Sequence, residues 1–135
     1  MIFHTKYNRL LITDGVEPLL YEHLRMNIEE RMGCGLVAIG GMPDHIHLLI
    51  RLDRHHSIKD LVRKIKGESS HWMNEQRLTD ETFQWQIGYG VYSVSESLLG
   101  IISRYIGRQK IHHRERSVDA DMEYPINNNV RKPLD

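Results

Sequence analysis

Apolar and polar positions in the first half of the chain predict strands and helices in turn. Residues 2–12 predict a strand, and Pro18 opens a helix whose apolar residues lie one turn apart. Residues 36–39 and 45–52 predict two further strands. The glycine-rich residues 40–44 between them predict a turn, so these two strands are expected to pair as a hairpin.

The second half of the chain continues the alternation. A sequence that resembles a capping box at residues 57–60 opens another helix with apolar residues at core spacing. Residues 83–86 and 91–94 predict short strands, and Ser95 opens a last amphipathic helix. Helices that connect the strands of a largely antiparallel sheet give an α+β fold, a two-layer sandwich with the helices on one face.

Length and composition are those of a small globular protein. The chain has 135 residues, of which 27% are charged and 40% hydrophobic, and one domain is expected. No apolar run approaches the ~20 residues that span a bilayer, and the first twelve residues lack a signal-peptide pattern. Cys34 is the only cysteine, so no internal disulfide can form. These features predict a cytoplasmic protein without a membrane partner.

Two histidines in the strand predicted at residues 45–52 are the first candidate for chemistry. Side chains alternate in a strand, so His45 and His47 share one face while Ile46 and Leu48 share the other. Imidazole is the commonest metal ligand in proteins, and the pair therefore predicts a metal site on the sheet. The alternative is a pair of surface or hydrogen-bonded core histidines, which is the usual outcome for this pattern alone.

A second polar cluster lies on the last predicted helix. Tyr105 and Gln109 are four residues apart, so a continuous helix would place one above the other on a single face, which His112 extends. The alternative is that Tyr105 is an ordinary aromatic core residue beside Leu98 and Ile102. That alternative explains Gln109 and His112 poorly, because polar side chains on a buried stripe need partners.

Basic residues are concentrated near both clusters although the net charge is zero. Six of them are candidates for contacts with nucleic-acid phosphates: Arg51, Arg54, Lys64, Lys66, Arg104 and Arg108. The alternative is a pair of ordinary solvated helix faces. The charge pattern alone does not decide between these two interpretations.

Several short motifs occur in a recognisable order along the chain. They are HTKY at 4–7, MPDHIHLL at 42–49, KIKG at 64–67, WQIGYG at 85–90, YSVS at 92–95 and YIGRQKIHH at 105–113. In this order they make the chain resemble the single-tyrosine transposases of the HUH nuclease superfamily, of the insertion-sequence 200/605 type. The resemblance covers a domain at residues 1–116 and leaves 117–135 as a C-terminal tail without clear periodicity. One departure is Arg108, where many members carry asparagine.

The resemblance implies a ferredoxin-like or RRM-like fold and a specific chemistry. His45 and His47 would lie on a central strand and, together with Gln109, would bind a divalent ion, Mg²⁺ or Mn²⁺. Tyr105 would attack single-stranded DNA, leaving a 5′-phosphotyrosine link and a 3′-OH. A covalent link of this kind preserves the phosphodiester, so a second 3′-OH can join strands in DNA transposition.

Other implications of the resemblance concern supporting residues and partners. Asp44 and His112 are candidates for supporting the metal site, although a turn residue and a basic helix end are equally ordinary interpretations. The expected partner is single-stranded DNA with hairpin ends. A homodimer is expected, although related monomeric proteins keep that alternative open.

A second class of function is a binding module of the same fold that recognises DNA hairpins or repeats without transposing. The joint presence of His45, His47, Tyr105 and Gln109 favours the enzyme. A nucleotide hydrolase with a histidine triad would need a third alternating histidine, and that position is Leu49. The sequence leaves open the target hairpin, the cleavage sequence and whether the protein still moves DNA.

Overall fold

The computed structural model describes residues 1–110, which contain a three-stranded antiparallel sheet. The strands are β1 (Ile2–His4), β2 (Gly35–Met42) and β3 (His45–Arg51), and β3 lies between the other two. The α+β fold with an antiparallel sheet is therefore confirmed. The predicted tail and the domain boundary at residue 116 lie outside the described residues.

Three α-helices surround the sheet: α1 (Glu17–Met26), α2 (Ile58–Glu75) and α3 (Leu99–Gly107). A π-helical turn, Asn27–Arg31, continues α1, and a short 3₁₀ helix, Glu96–Leu98, precedes α3. The Ser57 hydroxyl accepts a hydrogen bond from the Asp60 backbone N–H, as expected for an N-cap. Among the described residues, no helix is long and apolar enough to cross a bilayer.

The main core lies on the face of β3 that carries Ile46 and Leu48. Both side chains are buried, and α1 and α2 cover them with apolar residues. These residues are Leu20, Leu24 and Ile28 from α1 with its extension, and Leu61, Val62 and Ile65 from α2. The third helix departs from the expectation that all helices share one face, because α3 packs against the opposite face of the sheet, where Ile106 meets Gly40.

The hairpin between β2 and β3 is tighter than the sequence predicted. The turn expected at residues 40–44 consists only of Pro43 and Asp44, because Gly40, Gly41 and Met42 remain paired with β3. Glycine is usually read as a strand breaker, but here it allows close approach of another backbone. A Cβ on Gly40 would lie 1.9 Å from the Ile106 carbonyl oxygen.

Three other predicted strands were wrong or too long. The strand expected at residues 2–12 ends at His4, and a 3₁₀ turn follows in which Tyr7 has a positive φ of 60°. Residues 83–86 and 91–94 form no strand. Next to β1 the chain makes only isolated bridges, at Trp85 and Gly90. Between these bridges Gly88, with a φ of 93°, turns the backbone away from the ladder.

Candidate active site

The two histidines of β3 lie on the sheet face opposite the main core, as the alternation predicted. His45 and His47 are 2% and 1% exposed, and their ring centroids are 5.3 Å apart. The register places His4 of β1 beside His45, and the two rings stack at 5.1 Å. The place of His4 beside His45 depends on strand pairing, which the sequence of a short terminal strand does not reveal.

Helix α3 brings Tyr105 over this face. The rings of Tyr105 and His47 meet nearly edge to face, with centroids 6.2 Å apart and planes at 78°. The helix can approach this closely because Gly40, the cross-strand neighbour of His47, has no side chain to hold it away. The structure therefore brings together two residues that are far apart in the sequence.

Gln109 also joins the histidines, but by a different route from the one predicted. Helix α3 ends at Gly107, and Arg108 leaves helical geometry with φ −112° and ψ 27°. Gln109 is thus not one turn above Tyr105 on a continuous helix. The bend instead turns the glutamine inward, where it is 2% exposed and its Oε1 lies 3.2 Å from Nε2 of His45.

Asp44 orients the His45 ring. Its Oδ1 lies 2.7 Å from Nδ1 of His45. Burial alone would raise the pKa of Asp44, but the hydrogen bond with His45 and the charges of His45 and His4 outweigh burial and lower it. An ionised carboxylate can only accept, so Nδ1 carries the hydrogen that is donated. In the neutral ring the lone pair then lies on Nε2, which faces Gln109.

The contact between His45 and Gln109 suits a bound cation. In the neutral ring, Nε2 and the amide Oε1 both present lone pairs, so their 3.2 Å approach is favourable when a cation or a proton lies between them. Two ligands bound at ~2.1 Å and at right angles to one ion are about 3 Å apart. The donor set of His45, His47 and Gln109 therefore fits the predicted divalent ion.

Lys110 fixes the segment that carries Gln109. Its Nζ lies 2.6 Å from Oε2 of Glu17 on α1 and 3.3 Å from the carbonyl oxygen of Gly41 on β2. The chain beyond α3 is thereby tied to two other elements. The sequence contained this lysine inside a family motif but gave no sign of its partners.

The six predicted DNA-contact residues do not form one patch. Arg104 and Arg108 are exposed at the end of α3 beside the site, whereas Arg51 and Arg54 lie at the far end of β3. Lys64 is exposed on α2. Their contacts with DNA stay predictions, and His112 lies outside the described residues.

Lys66 has a structural role that the sequence did not predict. Its Nζ donates to the carbonyl oxygens of Gln86 and Gly88 at 2.6 and 2.8 Å, and burial lowers its pKa. The ammonium group therefore ties the segment beside β1 to α2. These two bonds compete with the phosphate contact that was expected of it.

Comparison with known proteins identifies the family. A family model described as "Transposase IS200 like" matches residues 1–109. The chain belongs to the IS200-like transposase family. It is 29% identical over 120 residues to the ISDra2 transposase TnpA of Deinococcus radiodurans, covering 85% of this chain and 84% of that protein.

A solved structure agrees with this assignment. The fold resembles the crystal structure of a proposed transposase from Deinococcus radiodurans R1, with a TM-score of 0.62 and 33% sequence identity. The match covers 78% of this chain and 84% of the other. IS200-like transposases are DNA-processing enzymes and are generally metal-dependent. The family predicted from the ordered motifs is therefore confirmed.

Proposed function

We propose that this transposase is a metal-dependent single-strand DNA endonuclease and strand transferase that uses Tyr105 as its nucleophile. The observation that carries the proposal is the meeting of α3 with β3. Tyr105 lies against His47, and Gln109 lies against His45. A structural tyrosine needs neither a buried glutamine nor a histidine pair beside it, whereas a metal-dependent site with a tyrosine nucleophile needs metal ligands next to that tyrosine.

Each residue has a defined part in the proposed reaction. His45, His47 and Gln109 would hold Mg²⁺ or Mn²⁺, which supplies charge to polarise the scissile phosphate. The Tyr105 hydroxyl oxygen forms a bond to phosphorus, and its proton passes through solvent to the oxygen that leaves. The phosphorus–oxygen bond to the 3′ carbon breaks, and that oxygen leaves as a 3′-OH. The other product is a 5′-phosphotyrosine. A second 3′-OH can attack its phosphorus, which releases Tyr105 and joins the two strands.

Asp44 acts through His45 in this proposal. Its carboxylate holds the ring in the tautomer that presents Nε2 to the ion. Arg104 and Arg108 are exposed next to Tyr105 and would neutralise the phosphates that flank the cleaved bond. An apolar groove of about 400 Å³, with Leu49 and Tyr92 in its lining, offers a surface on which an unpaired base can stack.

The expected partners and location belong to the same proposal. The substrate is single-stranded DNA with hairpin ends, and two chains act as a homodimer. The protein works in the cytoplasm, associated with the nucleoid when bound to DNA. Sedimentation equilibrium with and without a hairpin oligonucleotide tests the dimer, which a monomer mass at every concentration would contradict.

The decisive experiment looks for a covalent adduct. The protein is incubated with single-stranded DNA from its own flanking sequence and Mn²⁺ or Mg²⁺, and the products are separated under denaturing conditions. We expect an adduct that disappears with EDTA and in Tyr105→Phe, while Tyr89→Phe, the same change at a partly exposed tyrosine, keeps it. His47→Ala should abolish the adduct as EDTA does.

Two outcomes would contradict this proposal. Tight hairpin binding without an adduct in the wild type would favour the binding module of the same fold. Cleavage that survives Tyr105→Phe would contradict the tyrosine mechanism.

A further inference from the structure

A second cluster of metal-ligating side chains lies at the opposite end of the sheet from the candidate active site. Cys34 directly precedes β2, whose first residue, Gly35, pairs with Arg51 at the end of β3. The register therefore places Cys34 beside the loop that follows β3, which carries Asp53 and His56. Arg51 lies six steps along the extended strand from His45, roughly 20 Å, so the two clusters share no ligand.

The three side chains of this cluster are already assembled. One ligand atom from each of Cys34, Asp53 and His56 lies within 4.8 Å of the others. Asp53 Oδ2 is 2.8 Å from Nδ1 of His56, and Oδ1 accepts the His56 backbone N–H at 3.1 Å. Cys34 is 3% exposed, and the side chains of Asp53 and His56 are 14% and 19% exposed. The cluster is thus largely shielded from water.

A thiol, an imidazole and a carboxylate make a donor set that favours zinc. Zn²⁺ binds sulfur at about 2.3 Å and nitrogen or oxygen at about 2.0 Å, so tetrahedral ligand atoms lie about 3.3–3.5 Å apart. Asp53 and His56 would separate slightly from 2.8 Å, and Cys34 would approach by about 1.3 Å at most. The thiolate is the ligand that favours Zn²⁺ over Mg²⁺ and Mn²⁺, which prefer oxygen, and the histidine pair of β3 has no such ligand.

We propose that Cys34, Asp53 and His56 form a zinc site with water as the fourth ligand, separate from the transposase active site. Binding releases the Cys34 thiol proton to solvent, and the His56 ring binds in its neutral form. The ion would join the start of β2 to the loop after β3. That loop carries Arg54, so the site would also fix the position of one predicted DNA contact.

Cobalt substitution tests this site without relying on activity. Co²⁺ bound to a thiolate gives a charge-transfer band in the near ultraviolet. The chain has a single cysteine, so such a band can come only from Cys34, and the histidine pair contributes no sulfur. In the metal-free folded protein we expect the band to saturate within two equivalents of Co²⁺, because the candidate active site can take up a second ion, and to disappear when Zn²⁺ is added. A folded wild type without the band at saturating Co²⁺ would overturn the proposal.

Variants define the ligand set. We expect Cys34→Ser to lose the band completely, and Asp53→Asn and His56→Ala to weaken Co²⁺ binding at least tenfold, with circular dichroism confirming that each is folded. His55→Ala, which removes the neighbouring imidazole, and His47→Ala, which removes a ligand of the other site, should both keep the band. Full affinity in His56→Ala, or loss of the band in His47→Ala, would refute the assignment. If Cys34→Ser fails to fold, the wild-type titration and the Asp53 and His56 variants still show whether this cluster binds the ion.

Discussion

Replacing Gly40 by alanine tests whether the contact between β2 and α3 sets the position of the proposed nucleophile. The added Cβ would lie 1.9 Å from the carbonyl oxygen of Ile106 and 2.8 Å from its carbonyl carbon. Real Cβ atoms essentially never approach within 3.0 Å, so the two backbones must separate by about 1.1 Å. Because both close atoms are backbone atoms, no side-chain rotation can relieve this contact.

The helix rather than the sheet should give way. The main core lies on the other face of β3, beneath Ile46 and Leu48, and holds the hairpin in place. In α3, by contrast, Ile106 is the one buried side chain between Leu99 and Gly107. Moving α3 outward carries Tyr105 away from His47, and a misplacement of about 1 Å can cost roughly 100-fold in rate.

We therefore expect Gly40→Ala to fold but to form the DNA adduct roughly 100-fold more slowly. The assay is single-turnover adduct formation at saturating Mn²⁺, alongside a thermal melt. Gly15→Ala is the matched control, because a Cβ there meets nothing within 4 Å and φ is not positive. An unchanged rate in a folded Gly40→Ala would refute the argument that this glycine positions α3. Global unfolding would refute the argument that the helix yields first.

Three further predictions concern the site and the packing around it. Asp44→Asn should weaken Mn²⁺ binding by about 10- to 100-fold in calorimetric titration, because the His45 ring loses the acceptor that fixes its tautomer. Glu68→Gln should cost about 1–2 kcal/mol of unfolding free energy in urea titration, because the Glu68 carboxylate binds the half-buried ring of His23 at 2.6 and 2.8 Å. Burial, and then the charge of Glu17, raises the pKa of Tyr21, so the stability that depends on its neutral form is present below pH ~10 and lost as pH rises further. The melting temperature of Tyr21→Phe should therefore fall less between pH 9 and pH 11 than that of the wild type.

Each of these changes has a matched control elsewhere in the chain. Asp14→Asn should leave Mn²⁺ binding unchanged, and equal weakening in both variants would contradict a specific role for Asp44. Glu75→Gln removes an exposed partner of His71 on the same helix as Glu68, and it should cost no more than ~0.5 kcal/mol. An equal cost for both glutamates would contradict the importance of burial. The melting temperature of Tyr89→Phe should fall as much between pH 9 and pH 11 as that of the wild type.

The local patterns that predicted correctly are those set by a single element. The alternation of His45 with Ile46 follows from strand geometry alone, so the two faces of β3 were predictable. Ser57 likewise predicts a helix start because a cap acts within four residues. The turn predicted at the glycines before Pro43 was wrong because contacts from distant parts of the chain determine their structure. They indicate a turn locally, yet they lie in β2 because another backbone passes close to Gly40.

Gln109 lies beside His45, but not through the helical spacing from which its position was predicted. Helical spacing predicted that it lies one turn above Tyr105, but α3 ends at Gly107 and the chain bends at Arg108. The next residue, Lys110, contacts Glu17 and the carbonyl oxygen of Gly41, and the Gln109 amide lies against His45. A local period cannot anticipate this, since the anchoring contacts come from residues far away in the chain.

The sequence by itself determined the alternating faces of the central strand, the helices and, through the order of its motifs, the family. The tertiary structure alone decided that α3 lies on the histidine face, that His4 stacks on His45, and that Cys34 meets Asp53 and His56. The physical reason is the range of the interactions. Periodicity and capping act between neighbours, whereas strand register and helix packing depend on contacts that form only when the whole chain has closed around its core.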